Sequence, residues 1–258
     1  MPSTPLLKAL AQARIGSRRW LANAIQRGMV EVNGKVAEDF RQPVNVETDR
    51  VLINGQLVHL KPKEFVYLML NKPKGVLSTT ADERGRRTVV NIIPKKYRHL
   101  RLYPVGRLDK DSTGLLLLTN DGELTYRLSH PKFEHEKEYL VHIDGVLKPD
   151  EKRQMEQGLE LEDGMTYPAK IRQVLSPSPF NYSITIHEGK KRQVRRMLGS
   201  LGHRVLALRR IRIGSLNLGD LQEGDARELS TQEVQALLKE RRSSNLRSLG
   251  YTEKHQAE

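Results

Sequence analysis

The apolar residues of this chain come in strand-length runs interrupted by turns. The longest are Phe65–Leu70 and Leu115–Leu118, far too short to span a bilayer. Further strand-like runs fall at Glu138–Ile143, Ala169–Val174, Tyr182–His187 and Val205–Arg212. Helical patterns interleave with them at about Thr88–Ile93, Gly122–Ser129, Pro149–Gln157, Arg192–Leu201 and Ser230–Arg241. The last opens on a capping box, Ser230 to Glu233. Hairpins and helices mixed in this way predict an α+β chain built on a mostly antiparallel sheet.

The first sixty residues have a different grain. Residues 5–28 read as two short helices: Pro5 suits a first helical position with Thr4 as its cap, and Ser17 can cap the second. Short β pieces follow, turned by Asn33-Gly34 and Asn54-Gly55, a strong hairpin signal. Lys61-Pro62-Lys63-Glu64 looks like a linker. The expected organisation is a small unit over 1–60, a larger domain over 61–241, and a polar, disordered tail over 242–258.

Lys and Arg total 44 against 31 acidic residues, a formal charge of +13. That charge is concentrated. Between Arg84 and Leu108 there are eight basic residues and no acid; between His187 and Ile213 there are nine against Glu188 alone. Each segment carries +8, so the remainder is slightly acidic. Concentrated positive charge suits a phosphate backbone, making nucleic acid the expected partner. The chain has no cysteine, which excludes disulfides and thiolate metal sites. The start, Met1-Pro2-Ser3-Thr4, lacks the pattern of a signal peptide. The expectation is a soluble cytoplasmic monomer with no membrane contact. The histidines show no metal-ligand spacing, and no metal site is proposed.

Asp109 and Asp111, two apart, are too few for an EF-hand-type calcium loop, which needs a closing Glu where Asn120 stands. On its own Asp109 reads as a turn or cap acid before the strand Leu115–Leu118. Its surroundings are more specific. The run Tyr103-Pro-Val-Gly-Arg-Leu-Asp-Lys-Asp-Ser-Thr-Gly-Leu-Leu-Leu-Leu-Thr-Asn-Asp-Gly resembles the signature of the bacterial rRNA pseudouridine synthases of the RsuA-like group. Leu70-Asn71-Lys72-Pro73-Lys74-Gly75-Val76 resembles that family's first motif. His135-Glu136-Lys137-Glu138-Tyr139-Leu140-Val141 is similar to its tyrosine strand, and Glu188-Gly-Lys-Lys-Arg-Gln-Val-Arg-Arg-Met-Leu198 to its third motif. The first sixty residues resemble the alpha-L RNA-binding domain, through Gly16-Ser17-Arg18-Arg19 and Ile25-Gln26-Arg27-Gly28-Met29-Val30-Glu31-Val32-Asn33-Gly34. The likeness covers residues 3–240.

The resemblance implies a pseudouridine synthase fold, a ribosomal RNA substrate, with details closer to the large-subunit members, and no cofactor. It implies that Asp109 is catalytic, with Arg195 as its cation and Arg196 as rival for that ion pair. Tyr139 would stack on the target base, and Arg107 would fill the stack that the flipped base vacates or bind the neighbouring phosphate. RNA contacts would come from Ser17, Arg18, Arg19, Arg27, Asn33 and Lys35 in the small unit, and from Lys72, Arg192, Gln193 and Arg196 in the large one. A non-catalytic RNA-binding protein is the main alternative, but it would be expected to have lost one of Asp109, Tyr139 and Arg195. An RNA methyltransferase would need a Gly-rich cofactor loop, which is not found.

Overall fold

A computed structural model describes residues 3–61, 64–175 and 179–239. The chain divides into two compact units at Phe65/Val66. The tail over 242–258 lies outside the described residues.

In the small unit, helices Leu6–Gln12 and Arg18–Gln26 pack on a four-stranded antiparallel sheet. Leu6, Leu10, Leu21, Ile25, Val30 and Val51 are almost completely buried between them. Two hairpins make the sheet, and both turn on Asn-Gly pairs in left-handed backbone: φ is +52° and +79° at Asn33 and Gly34, +51° and +75° at Asn54 and Gly55. Those angles match the right-handed twist of the strands they join. Ser17 caps the second helix, its hydroxyl accepting from the Trp20 amide at 3.1 Å. The first helix starts differently from expectation. Thr4–Pro5 pairs with Pro43–Val44, and the helix begins at Leu6 with no side-chain cap. The amides of Leu6 and Leu7 donate instead to the carbonyls of Gln42 and Phe40, at 2.8 and 3.0 Å. Two-residue strands leave too little alternation in a sequence to be read.

The large unit is α+β around a nine-stranded mixed sheet. Its main path runs Lys170–Gln173, Tyr182–Ile186, Lys137–Ile143, Val205–Ile213, Thr113–Thr119, Tyr67–Lys72, Ala226–Glu228. Leu216–Asn217 and Tyr103–Pro104 join at the side. Every neighbouring pair is antiparallel except Val205–Ile213 with Thr113–Thr119, which run parallel over Arg209↔Thr113 and Arg210↔Gly114. Both faces are covered. Leu70, Leu116, Val141, Ile184 and the helix residues Val194, Met197 and Leu198 share one core. Met69, Leu115, Leu117, Ile213 and Leu124, Leu128 and Leu237 share the other. This explains the unbroken run Leu115–Leu118: a strand buried on both sides has no polar alternation to show.

Helices Gly122–Ser129 and Pro149–Gln157 have the bounds their sequence signals predict. Asp121 caps the first, accepting from the Glu123 and Leu124 amides, and Pro149 opens the second. The Ser230–Glu233 capping box also forms, at 2.8 and 3.2 Å.

Candidate active site

Six residues form one row across the sheet as Cα partners: Ile171, Ile184, Tyr139, Arg210, Gly114 and Lys72. The row crosses the parallel seam at Arg210 and Gly114. Gly114 has φ +101°, and a Cβ there would stand 2.2 Å from the Arg210 carbonyl oxygen. Only glycine lets the two strands meet here. The strand that begins at Thr113 is entered through the segment carrying Asp109, so the row fixes where that segment ends.

Two further contacts fix the segment from the other side. The buried Ser78 hydroxyl donates to the Leu108 carbonyl at 2.8 Å and accepts from the Leu108 amide at 3.1 Å. The Gly75 amide donates to the Lys110 carbonyl at 2.8 Å. Leu108 is buried in the core, which turns Arg107 and Asp109 outward. Both line a cleft of about 940 Å³, together with Ser78–Asp82, Arg86, Gly106, Asp111 and Arg192. Asp82 and Arg86 form a forked ion pair at the cleft wall. The Arg86 hydrogen bonds hold the Asp82 carboxyl down at about 2.

Asp109 has a side chain one-third exposed, with Arg192 Nη1 3.8 Å from its Oδ2. Among the described residues nothing donates a hydrogen bond to its carboxylate. Asp111 takes those bonds instead. Arg192 donates to it at 3.2 and 3.4 Å, and Arg195 Nη2 lies 3.3 Å from Asp111 Oδ2 and 3.4 Å from its carbonyl oxygen. Burial works against ionisation of Asp111, but the Arg192 hydrogen bonds and the Arg195 charge outweigh it, so its carboxyl sits below its ordinary value.

The partner expected for Asp109 therefore differs. Arg195 is held by Asp111 and by the Val205 carbonyl, 3.1 Å away, while Arg192 stands nearest to Asp109. Arg196, the rival, forks onto Asp163 at 2.8 and 2.9 Å. The helix Gln193–Ser200 and its entry thus bring Arg192 and Arg195 to Asp111, with Arg192 also beside Asp109, and Arg196 to Asp163, a division that helical spacing alone does not reveal.

Two expected RNA contacts are corrected by burial. Lys72 is completely buried and donates to the Pro73 carbonyl at 2.8 Å. Burial drives its ammonium down to about 8, against the pull of Asp111, Glu223 and Asp109. A side chain so enclosed does not reach a phosphate; its charge acts on Asp111 and Asp109 from the interior. Gln193 is buried as well and donates to Glu188 at 2.5 Å while accepting from the Lys190 amide at 3.1 Å. It braces the turn that places Arg192, whose backbone is left-handed at φ +51°, a conformation that costs roughly 1–2 kcal/mol for such a residue. Asn33 is exposed, yet its side chain is engaged with Asp49 and the Arg50 amide, so it shapes a turn. Ser17 is occupied as a cap. Arg18, Arg19, Arg27 and Lys35 are exposed.

Tyr139 is 8% exposed, between Ile184 and Arg210 in the sheet row. It shares a core with Leu108 and Val194 but does not line the cleft. Three participants were not anticipated: Ser78, Asp111 as an arginine acceptor, and Arg210. Arg210 is buried, with Nε donating to the Leu115 carbonyl at 2.8 Å and Nη2 enclosed without a partner among the described residues. Nothing in the local sequence marks Ser78. Arg210 was visible only as one charge among many.

The comparisons with known proteins agree with this fold. The profile of the family described as RNA pseudouridylate synthase matches residues 66–200. Ribosomal large subunit pseudouridine synthase B of Bacillus subtilis (strain 168) is 43% identical over 235 residues, covering 90% of this chain and 94% of that one. The protein of the same name from Yersinia pestis is 39% identical over 220 residues, 83% of this chain and 68% of that one. A crystal structure of a pseudouridylate synthase superposes with a TM-score of 0.65 at 32% identity, over 91% of this chain and all of that one. The chain belongs to the RNA pseudouridylate synthase family. It is an enzyme that isomerises uridine to pseudouridine in RNA.

Proposed function

We propose that the substrate is ribosomal RNA of the large subunit and that Asp109 is the reacting carboxylate. The names of the Bacillus and Yersinia relatives support the substrate. The observation that carries the site is the state of Asp109: on a cleft wall, one-third exposed, beside a cation, and with no hydrogen bond to its carboxylate among the described residues. The reaction breaks the bond from C1′ to N1, turns the uracil, and joins C1′ to C5. N1 gains a proton and C5 loses one, so atoms and electrons balance within the nucleotide. A carboxylate that attacks or deprotonates the ribose starts this sequence, and a nearby cation keeps it ionised.

In this reading the base leaves its stack to reach Asp109. Arg107, exposed two residues upstream, fills the gap or holds the neighbouring phosphate through its flat guanidinium. The family resemblance assigns Tyr139 to the uracil, although its ring is 8% exposed and off the cleft wall; Arg192 and Arg195 supply the positive charge. The unit over residues 1–60 acts as an alpha-L RNA-binding domain, with Arg18, Arg19, Arg27 and Lys35 on phosphates, and residues 61–241 form the catalytic domain. The enzyme works as a cytoplasmic monomer; no helix among the described residues is long and apolar enough to cross a membrane.

The test is Asp109→Asn assayed on large-subunit rRNA. Pseudouridine formation is expected to vanish while RNA affinity stays within a few fold. Turnover near that of the wild type would refute the assignment.

A further inference from the structure

A carboxylate that must act on a ribose faces two demands. A cation nearby keeps it ionised, but each N–H bonded directly to its oxygens ties up a lone pair and weakens it as nucleophile or base. The cleft divides these demands between two aspartates. Asp111 takes the hydrogen bonds of Arg192, at 3.2 and 3.4 Å, and the Arg195 contact at 3.3 Å. Asp109 has an ion pair at 3.8 Å and, among the described residues, no hydrogen bond to its carboxylate.

We propose that Asp111 is a positioning residue which holds Arg192 and Arg195 off the Asp109 carboxylate, leaving it ionised but free to react. The proposal rests on the reading of Asp109 as the reacting group. Both arginines are well placed for such an arrangement. Arg195 is anchored at its other end by the Val205 carbonyl. Arg192 is itself left-handed, in a turn braced by the buried Gln193–Glu188 pair. With the backbones fixed, the guanidinium groups choose between two carboxylates only two residues apart. If Asp111 loses its charge, Asp109 is the acceptor that remains.

The experiment compares full-length D111N, D111E, D109N and the double variant D111N/R192Q. Turnover is measured on rRNA, affinity by direct RNA binding, and folding by melting temperature. D111N is expected to lower kcat tenfold or more with RNA affinity unchanged or tighter. D111E keeps the acceptor and is expected to stay within threefold of the wild type. D111N/R192Q removes the arginine that has moved onto Asp109, and is expected to recover several fold over D111N. A kcat for D111N within threefold of the wild type, or a double variant no faster than D111N, overturns the proposal. D111S replaces D111N if the latter does not accumulate folded. An active D109N would refute the reading of Asp109; an inactive D109N beside an unaffected D111N would refute the role of Asp111 alone.

Discussion

Ser78 binds both backbone groups of Leu108, donating its hydroxyl to the carbonyl at 2.8 Å and accepting from the amide at 3.1 Å. Leu108 precedes Asp109, so one buried hydroxyl sets the direction in which the Asp109 carboxylate leaves the chain.

Ser78→Ala leaves the Leu108 amide and carbonyl buried and unpaired. The cost is about 1–3 kcal/mol for each group left unpaired, read as a lower urea midpoint. A barrier higher by about 1.4 kcal/mol is a tenfold loss of rate. Turnover is therefore expected to fall by about that factor, with RNA affinity unchanged. An equal loss in affinity and turnover would place Ser78 in binding rather than in alignment.

Gly114→Ala tests the seam between the strands. The added Cβ meets the Arg210 carbonyl at 2.2 Å in a backbone that alanine rarely adopts. Destabilisation of more than about 2 kcal/mol is expected, together with loss of activity. A stability curve that overlays the wild type would show that the strands can part without harm.

His203 supplies a pH dependence. Its ring contacts Glu151 at 2.9 Å and the Asp144 carbonyl at 3.2 Å, tying helix Pro149–Gln157 to the turn after the arginine helix. The Glu151 hydrogen bond raises the imidazolium above its ordinary value. Its stabilising contribution is thus fully present below an unfolded-state value of about 6.5 and is lost as pH rises through the folded-state value. The melting temperature of His203→Ala is expected to lag the wild type most at about pH 5–6 and to approach it in alkaline buffer. A gap independent of pH would mean that packing, not charge, holds the two elements together.

The small unit is tested by charge removal. Arg18→Gln with Arg19→Gln and Arg27→Gln should weaken RNA binding and flatten its salt dependence. The slope should drop by about 0.7–0.9 for each phosphate that is no longer neutralised. Turnover at saturating RNA should hold. An unchanged slope would remove these arginines from the interface.

The fold was readable wherever a sequence signal is local. The helices Gly122–Ser129 and Pro149–Gln157 could be read, Asn-Gly pairs mark hairpins, and Leu115–Leu118 marks a strand. The site was readable only as a set of motifs, because its contacts join distant segments. Lys72 looks like any surface lysine, yet it is fully enclosed and interacts with Asp109 and Asp111 from the interior. Gln193 sits among basic residues and reads as an RNA contact, yet it faces Glu188. Arg192, Arg195 and Arg196 are near neighbours in the chain, and only the surrounding loops decide which acid each one meets. Ala226–Glu228, three residues at a sheet edge, is too short for its alternation to show.

The parallel pairing within the nine-stranded sheet has a consequence in time. On one side of it stand the strands of Tyr139 and Arg210; on the other stand those that follow Asp109 and carry Lys72. Each half is antiparallel and can collapse by its own pairings, but neither contains the whole cleft. As strands the halves pair through two residue pairs, Arg209↔Thr113 and Arg210↔Gly114, remote in the chain and slow to find each other. During refolding, circular dichroism should recover first and turnover later, so the enzyme passes through a stage that has its sheet but not its chemistry.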